Sequence, residues 1–235
     1  MAGKRTRPES AMEQLTEAIK ELGRTQGLNT VFTTFLEVTA LCLSVETDPI
    51  HAKERHERYL QIVKDMAPDV ATAYARMTAL IYLAVKEHED DPCDILGAIY
   101  HQLRLNNEWN GQFFTPDSIS RMMALLINPA CESSLDKKGF VTINEPTCGS
   151  GTMVIGAVWA MMQNHIDYQK KSLFVAQDID IRCVWMTYIQ LTLYKIPAVV
   201  IHGNTLTVEE WSHWITPYTH VPLLEAEKAK EDVAV

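Results

Sequence analysis

The sequence predicts an α/β protein, with an all-helical first part and then a unit built on a parallel sheet. Three observations carry this. Apolar residues recur at helical spacing through roughly the first hundred residues. The stretch from Val141 to Ala157 reads as strand, glycine turn and helix. Two further short apolar runs, 173–176 and 198–201, read as strands and alternate with helical segments. Such alternation favours parallel pairing through right-handed crossovers, which gathers the loops 145–151, 177–180 and 202–205 at one sheet edge.

Composition narrows the class. The chain has 235 residues, enough for a substantial core in one or two domains. A net charge of −9 argues against a general basic coat for nucleic acid, while leaving room for a local basic patch or a DNA-binding partner. The five cysteines are scattered and form no Cys-x-x-Cys, which argues against a disulfide framework or a zinc site and fits a reducing cytoplasm. Lys4, Arg5 and Arg7 precede no apolar segment, so no signal peptide is read. No apolar run is read as long enough to span a bilayer, and no membrane partner is expected.

The elements follow in order. Leu15, Ala18, Ile19 and Leu22 set a first helix from Ser10, with Gly23 near its stop. Asn29 to Val45 is apolar on most faces and reads as a buried helix, broken at Asp48-Pro49. His51 to Met66 is amphipathic, with a stripe of Tyr59, Ile62, Val63 and Met66. Pro68 opens a helix running to His88, and Asp94 to Leu105 is a shorter one. Pro116 starts another helix, which Asn128-Pro129 is expected to end. After the glycine turn come a helix over Met153–Asn164, a strand over Leu173–Ala176, a helix over Ile181–Tyr194 and a strand over Ala198–Ile201. The last residues, Leu223 to Asp232, read as a charged helix. These elements divide into a helical domain over 1–105, a ligand-binding α/β domain over 106–222 and a charged tail over 223–235.

Neither histidines nor acids form a persuasive metal site. His51 and His56 lie five apart, a poor spacing for one helix face, and His88 and His101 lack close partners. Glu87, Glu89, Asp90 and Asp91 lack the alternation of a calcium loop and read as a solvated helix end. No metal is expected.

The glycine turn does suggest chemistry. Pro146 ends ladder hydrogen bonding, and Gly149 and Gly151 permit positive φ and leave the backbone bare. Ser150 or Thr152 can cap the next helix, whose free N–H groups would face a polar ligand. The pattern is neither a dinucleotide fingerprint nor a phosphate-binding P-loop. At the end of the second strand, Asp178 suits hydrogen bonds from a ribose and Asp180 suits a helix cap. Phe113 and Phe114 read either as packing at a domain junction or as an aromatic wall for a flat ligand.

Four motifs in order resemble those of adenine-specific DNA methyltransferases, above all the modification subunits of type I restriction-modification systems. Gly111 to Pro116 matches the family's Gly-Gln-Phe-Phe-Thr-Pro, and Glu145 to Gly151 its Asp/Glu-Pro-x-Cys-Gly-Ser-Gly. Ala176-Gln177-Asp178-Ile179 is similar to Gly-Gln-Glu/Asp-Ile, and His202 to Leu206 to His-Gly-Asp-Thr-Leu. The resemblance covers about residues 105 to 206. It implies a helical domain before a partial Rossmann-like core that binds S-adenosylmethionine. Glu145, Pro146, Cys148, Gly149, Ser150 and Gly151 would surround the methionine part, with Phe114, Thr115 and Pro116 nearby. Asp178 would take the ribose hydroxyls and Ile179 would pack on the adenine. Asn204 replaces an aspartate that faces the adenine amino group, and its amide oxygen can still accept that bond.

Two departures follow. The family's catalytic Asn-Pro-Pro-Tyr/Phe has only an echo in Thr216-Pro217-Tyr218, so Tyr218 is the one catalytic candidate. Threonine lacks the amide's paired donor and acceptor. The family's apolar fourth strand is also replaced, by Trp211-Ser212-His213-Trp214. Strand one should then be a bare edge, which predicts a homo-oligomer or a subunit complex. Trp211, Trp214 and Tyr218 are candidate covers or anchors, unless the tail folds back onto its own sheet. The resemblance implies methyl transfer to adenine in DNA, with or without activity in this chain alone and with DNA reached through a partner. A non-catalytic regulatory or interaction protein of a restriction-modification system or mobile element is the alternative. A small-molecule methyltransferase fits the lack of a DNA-reading region, but the Phe-Phe-Thr-Pro element argues against it.

Overall fold

In the computed structural model, residues 9–105 and 113–220 are described, with backbone alone over 128–134 and 136–138. Five helices come first: α1 (Ala11–Gln26), α2 (Leu28–Thr47), α3 (Ala52–Lys64), α4 (Pro68–Glu87) and α5 (Ile95–Gln102). The α/β part follows as α6 (Asp117–Lys138), β1 (Val141–Glu145), α7 (Thr152–Gln163), α8 (Tyr168–Lys171), β2 (Ser172–Asp178), α9 (Ile181–Leu193), β3 (Ala198–Asn204) and β4 (Glu209–Ile215). Gly111, Gln112 and the tail helix expected from Leu223 lie outside the described residues.

Local chemistry sets the early boundaries. Ser10 and Glu13 form a reciprocal capping box at the start of α1. Pro68 sits at the first position of α4, where its missing N–H costs nothing. By length and composition α2 reaches the minimum for a membrane span, which the sequence reading did not credit. Its Val31, Phe32, Phe35 and Leu36 are instead fully buried in the core.

The sheet order is β1-β2-β3-β4. The first three strands are parallel, in the register Glu145↔Ala176 and Asp178↔His202. Phe174, Ala176, Ala198 and Val200 alternate onto one buried face and join a core with Val154, Ile155 and Val158 of α7 and Val184 and Tyr188 of α9. That core is continuous with the apolar residues of α1, α2, α4 and α5.

Three sequence expectations are corrected here. Helix α6 does not stop at Asn128-Pro129 but runs to Lys138 and ends on Gly139 at φ +68. Its contact with α7 holds it past the one backbone donor that proline removes. The Trp-rich segment after β3, read as standing in place of a missing strand, itself forms a strand, β4, which turns back antiparallel on β3. The tail therefore caps its own sheet, as one of the two expectations had it, but at the β3 edge. Among the described residues nothing pairs with the outer edge of β1.

Strand β4 is held by burial of Trp214. Its ring lies 5.4 Å from Tyr188 and 6.4 Å from Trp185, with the Arg55 guanidinium 4.1 Å above it. Arg55 also donates to the carbonyl of His213 (2.5 Å) and to the buried Asp48 carboxylate (2.8 Å). Thus a residue of α3 ties the helical part to the last strand.

Burial alone would raise the Asp48 pKa, but the His51 hydrogen bond and the Arg55 charge prevail and hold it below the ordinary carboxylate range. Its stabilising contribution is therefore full above its unfolded value of about 3.9 and is lost as pH falls through the lower folded value. Arg55→Ala should cost about 3 kcal/mol at neutral pH, because it strands a buried carboxylate. It should also move acid unfolding to higher pH. Urea unfolding and an acid titration followed by circular dichroism check both, and an unchanged acid limb would contradict the Asp48 assignment.

Candidate functional site

The loops that follow β1, β2 and β3 converge, as parallel strands require. The Cys148 N–H donates to the Gln177 carbonyl at 2.8 Å. The Gly149 N–H donates to Asp178 Oδ2 at 2.9 Å. Thr205 Oγ1 donates to the Pro146 carbonyl at 2.6 Å. These three bonds join the three motif loops.

Glycine is required where the turn is tightest. Gly149 takes φ +55, and a Cβ there would lie 3.0 Å from the Phe114 ring. Gly151 takes φ +95, and a Cβ would lie 3.1 Å from Thr187 Oγ1. Thr187 also donates to the Gly149 carbonyl at 3.0 Å, so α9 fixes the turn from below.

The expected helix cap is replaced by a buried polar knot. Neither Ser150 nor Thr152 caps α7, whose N-cap is Gly151 with no side-chain bond. Ser150 Oγ donates to Asp94 Oδ2, and Thr152 Oγ1 donates to the same oxygen at 2.5 Å. Asp94 Oδ1 accepts from the Gly97 N–H (2.8 Å) and from Gln190 Nε2 (2.9 Å). Gln190 in turn bonds the Ser150 carbonyl and the N–H groups of Ile95 and Leu96. Asp94 and Gln190 went unnoticed in the sequence. Asp94 has only a cap signal before Ile95, and Gln190 sits unmarked in an apolar helix.

Asp178 stands at the end of β2, half-buried. Its Oδ1 accepts the Asp180 N–H at 2.9 Å while Oδ2 holds Gly149. Burial outweighs these two bonds and raises its pKa above the ordinary value. Asp180 caps α9 through the Arg182 N–H and pairs with the Arg182 guanidinium. Beside them Ile179 is 58% exposed.

The remaining candidates separate. Phe114 is half-buried, 4.8 Å from the Tyr100 ring, and its N–H donates to His101 Nε2 at 3.3 Å. Thr115 is half-buried, and the exposed Pro116 serves as the N-cap of α6. Glu145 ends β1, and its side chain accepts the Thr147 N–H at 3.4 Å. Cys148 is buried, its Sγ accepts from Thr187, and burial pushes its thiol pKa far up, so it is a packing residue rather than a nucleophile. Asn204 Oδ1 accepts the N–H groups of Leu206 (3.0 Å) and Thr207 (3.4 Å), closing its own turn. Tyr218 is corrected outright. Thr216 and Thr219 beside it bond to Ile196 and Ala198, where β3 begins, so six residues of strand, about 20 Å, separate it from Asn204. Trp211 packs on His202 at 4.8 Å and stays half-exposed.

Comparison with known proteins gives this geometry its context. A family model described as N-6 DNA Methylase matches residues 91–225. The chain belongs to the N-6 DNA methylase family. The match begins just before Asp94 and takes in all three motif loops. Two solved structures are similar. One is the methyltransferase subunit of a type I restriction-modification system from Streptococcus thermophilus, at 20% identity and a TM-score of 0.42, covering 86% of this chain and 40% of that one. The other is described as a class I S-adenosylmethionine-dependent methyltransferase from Listeria monocytogenes, at 15% identity and a TM-score of 0.42, covering 83% of this chain and 54% of that one. The chain thus spans about half or less of the length of either. No curated protein matched the chain.

Asp94→Ala should lower stability by about 3 kcal/mol, because it leaves three buried side-chain donors without their acceptor. Asp94→Asn, which keeps one acceptor oxygen, should cost less. Urea unfolding of both variants measures this, and equal losses would mean that charge rather than donor satisfaction holds the knot.

Proposed function

We propose that the loops after β1, β2 and β3 bind S-adenosylmethionine, within a helical domain (1–105), a methyltransferase-like domain (106–222) and a charged tail (223–235). The observation that carries this reading is the bond from the Gly149 N–H to the Asp178 carboxylate. It couples the glycine turn to the acidic residue that closes β2. Asp178 Oδ1 accepts the Asp180 N–H and Oδ2 the Gly149 N–H, and the carboxylate keeps acceptor capacity for a ribose hydroxyl. Burial, with the neighbouring Asp180 charge, raises its pKa against the backbone N–H groups that it accepts. Exposed Ile179 offers an apolar surface for the adenine ring.

Charge favours this cofactor over a phosphorylated one. Glu145, Asp178 and Asp180 surround the loops, and the nearby cation Arg182 is paired with Asp180. Such a rim suits a sulfonium and an ammonium and repels a pyrophosphate. Glu145, Pro146, Cys148, Gly149, Ser150 and Gly151 would hold the methionine part through their backbone, with Phe114, Thr115 and Pro116 against it. Asn204, at the end of β3, would meet the adenine edge. Bound there, S-adenosylmethionine supplies an electrophilic methyl group.

The target class we assign is the exocyclic amine of adenine in DNA, reached in a subunit complex in the cytoplasm. Among the described residues the one sequence candidate for holding that amine, Tyr218, lies at the far end of β3. We therefore read the isolated protein as a cofactor-binding member of the family that does not transfer the methyl group unaided. Calorimetric titration with S-adenosylmethionine should give micromolar binding, and Asp178→Ala should weaken it at least about tenfold, the loss of one charged hydrogen-bond acceptor. Affinity should also fall as pH drops through the raised Asp178 value, because the ionised carboxylate is the form that accepts the ribose hydroxyl. Unchanged binding in Asp178→Ala would remove the ribose assignment. Labelled methyl transfer to adenine-containing DNA by the chain alone would overturn the non-catalytic reading.

A further inference from the structure

From one face of α5 we infer that His101 is a positioning residue of the S-adenosylmethionine site: its Nε2 accepts the Phe114 N–H and so sets the Phe114 ring against the glycine turn. The inference rests on the cofactor reading above and adds to it a residue of the helical part.

Spacing defines the face. Asp94, Gly97 and His101 stand at i, i+3 and i+7, so they share one side of α5 over about 10 Å. Asp94 meets Ser150 and Thr152 at one end of that face. Gly97 lets the turn approach, since a Cβ there would lie 2.7 Å from Ser150 Oγ. His101 meets Phe114 at the other end. The glycine turn and the aromatic segment are therefore set on the same side of one short helix.

His101 reaches Phe114 twice. The Phe114 N–H donates to Nε2 at 3.3 Å, and the two rings meet edge to face with centroids 5.6 Å apart. Tyr100, fully buried beside it, lies 4.8 Å from the same Phe114 ring. The Phe114 ring also lies against Gly149, where a Cβ would come within 3.0 Å of it. Gly149 in turn donates its N–H to Asp178 Oδ2. A line of contacts thus runs from His101 through Phe114 and Gly149 to the carboxylate assigned to the ribose.

Placement rather than stability is what this bond contributes. His101 is exposed and Phe114 only half-buried, so water can replace the bond at little net cost. Water would satisfy the Phe114 N–H, but it would not fix the path of the main chain that carries the ring. The bond also sets the form of the imidazole. To accept at Nε2 the ring must be neutral, with its proton on Nδ1. Phenylalanine has no acceptor there. Glutamine has one, because its amide oxygen stands the same number of bonds from Cβ as Nε2 does.

Calorimetric titration of the purified full chain with S-adenosylmethionine, at mildly alkaline pH, compares the wild type with two variants. His101→Phe keeps a ring but removes the acceptor, and should weaken binding about fivefold, the loss of one neutral hydrogen bond. His101→Gln restores the acceptor without the ring, and should bind within about twofold of the wild type. Far-ultraviolet circular dichroism of both should match the wild type. In the ligand-free protein, imidazole nitrogen NMR should show His101 with its proton on Nδ1. His101→Phe binding as tightly as the wild type would overturn the proposal. So would His101→Gln binding as weakly as His101→Phe, or a proton found on Nε2. Each of these results leaves the cofactor site standing. A wild-type protein that binds no S-adenosylmethionine would instead remove the site and the role of His101 in it, so the two failures are told apart.

Discussion

The carboxylate of Asp94 lies buried where α5, the glycine turn, α7 and α9 meet, and four donors converge on it. A buried charge is tolerated only when its lone pairs are satisfied, so the position of each donor is constrained by the others. Through Ser150 and Thr152 the knot sets the path of the turn. Through Gln190 it fixes α9 to the first residues of α5. The helical part is thus no appendage, because it supplies the acceptor around which the glycine turn is shaped. This explains why hydroxyls suited to helix capping do not cap. Donating to the buried carboxylate turns both hydroxyls toward Asp94 and away from the first N–H groups of α7.

A second tie works at the other side of the sheet. Arg55, buried between Asp48 and Trp214, holds β4 against β3 and so closes that edge. Thr47 and Tyr188 add a hydroxyl pair at 3.0 Å between α2 and α9. With β4 antiparallel on β3 and, among the described residues, nothing on the outer side of β1, the sheet is asymmetric. Its three parallel strands present their carboxyl ends to one group of loops, and among the described residues its outer strands are β1 and β4.

Much of this was legible along the chain. The capping box at Ser10, proline at the start of α4 and the β-branched strands are local devices, and they act through bonds between near neighbours. The glycine turn and Asp178 were found because loops at the ends of parallel strands must converge. The reading failed where a distant partner decided the outcome. Pro129 does not end α6, because α7 packs along it. Residues 209–215 form a strand, because Trp214 finds Tyr188, Trp185 and Arg55. Tyr218 resembles part of a motif, yet the turn back along β3 carries it to the wrong end of the sheet.

By itself, then, the sequence determined the helical first part, the three parallel strands and the identity of the loops that meet at their ends, since periodicity, turn chemistry and crossover handedness are all short-range rules. The tertiary structure alone decided the roles of Asp94, Gln190, Arg55 and Thr187 and the direction of β4. Those depend on which side chains become buried together, and the energy of a buried charge or an aromatic cluster is set by partners far away in the chain.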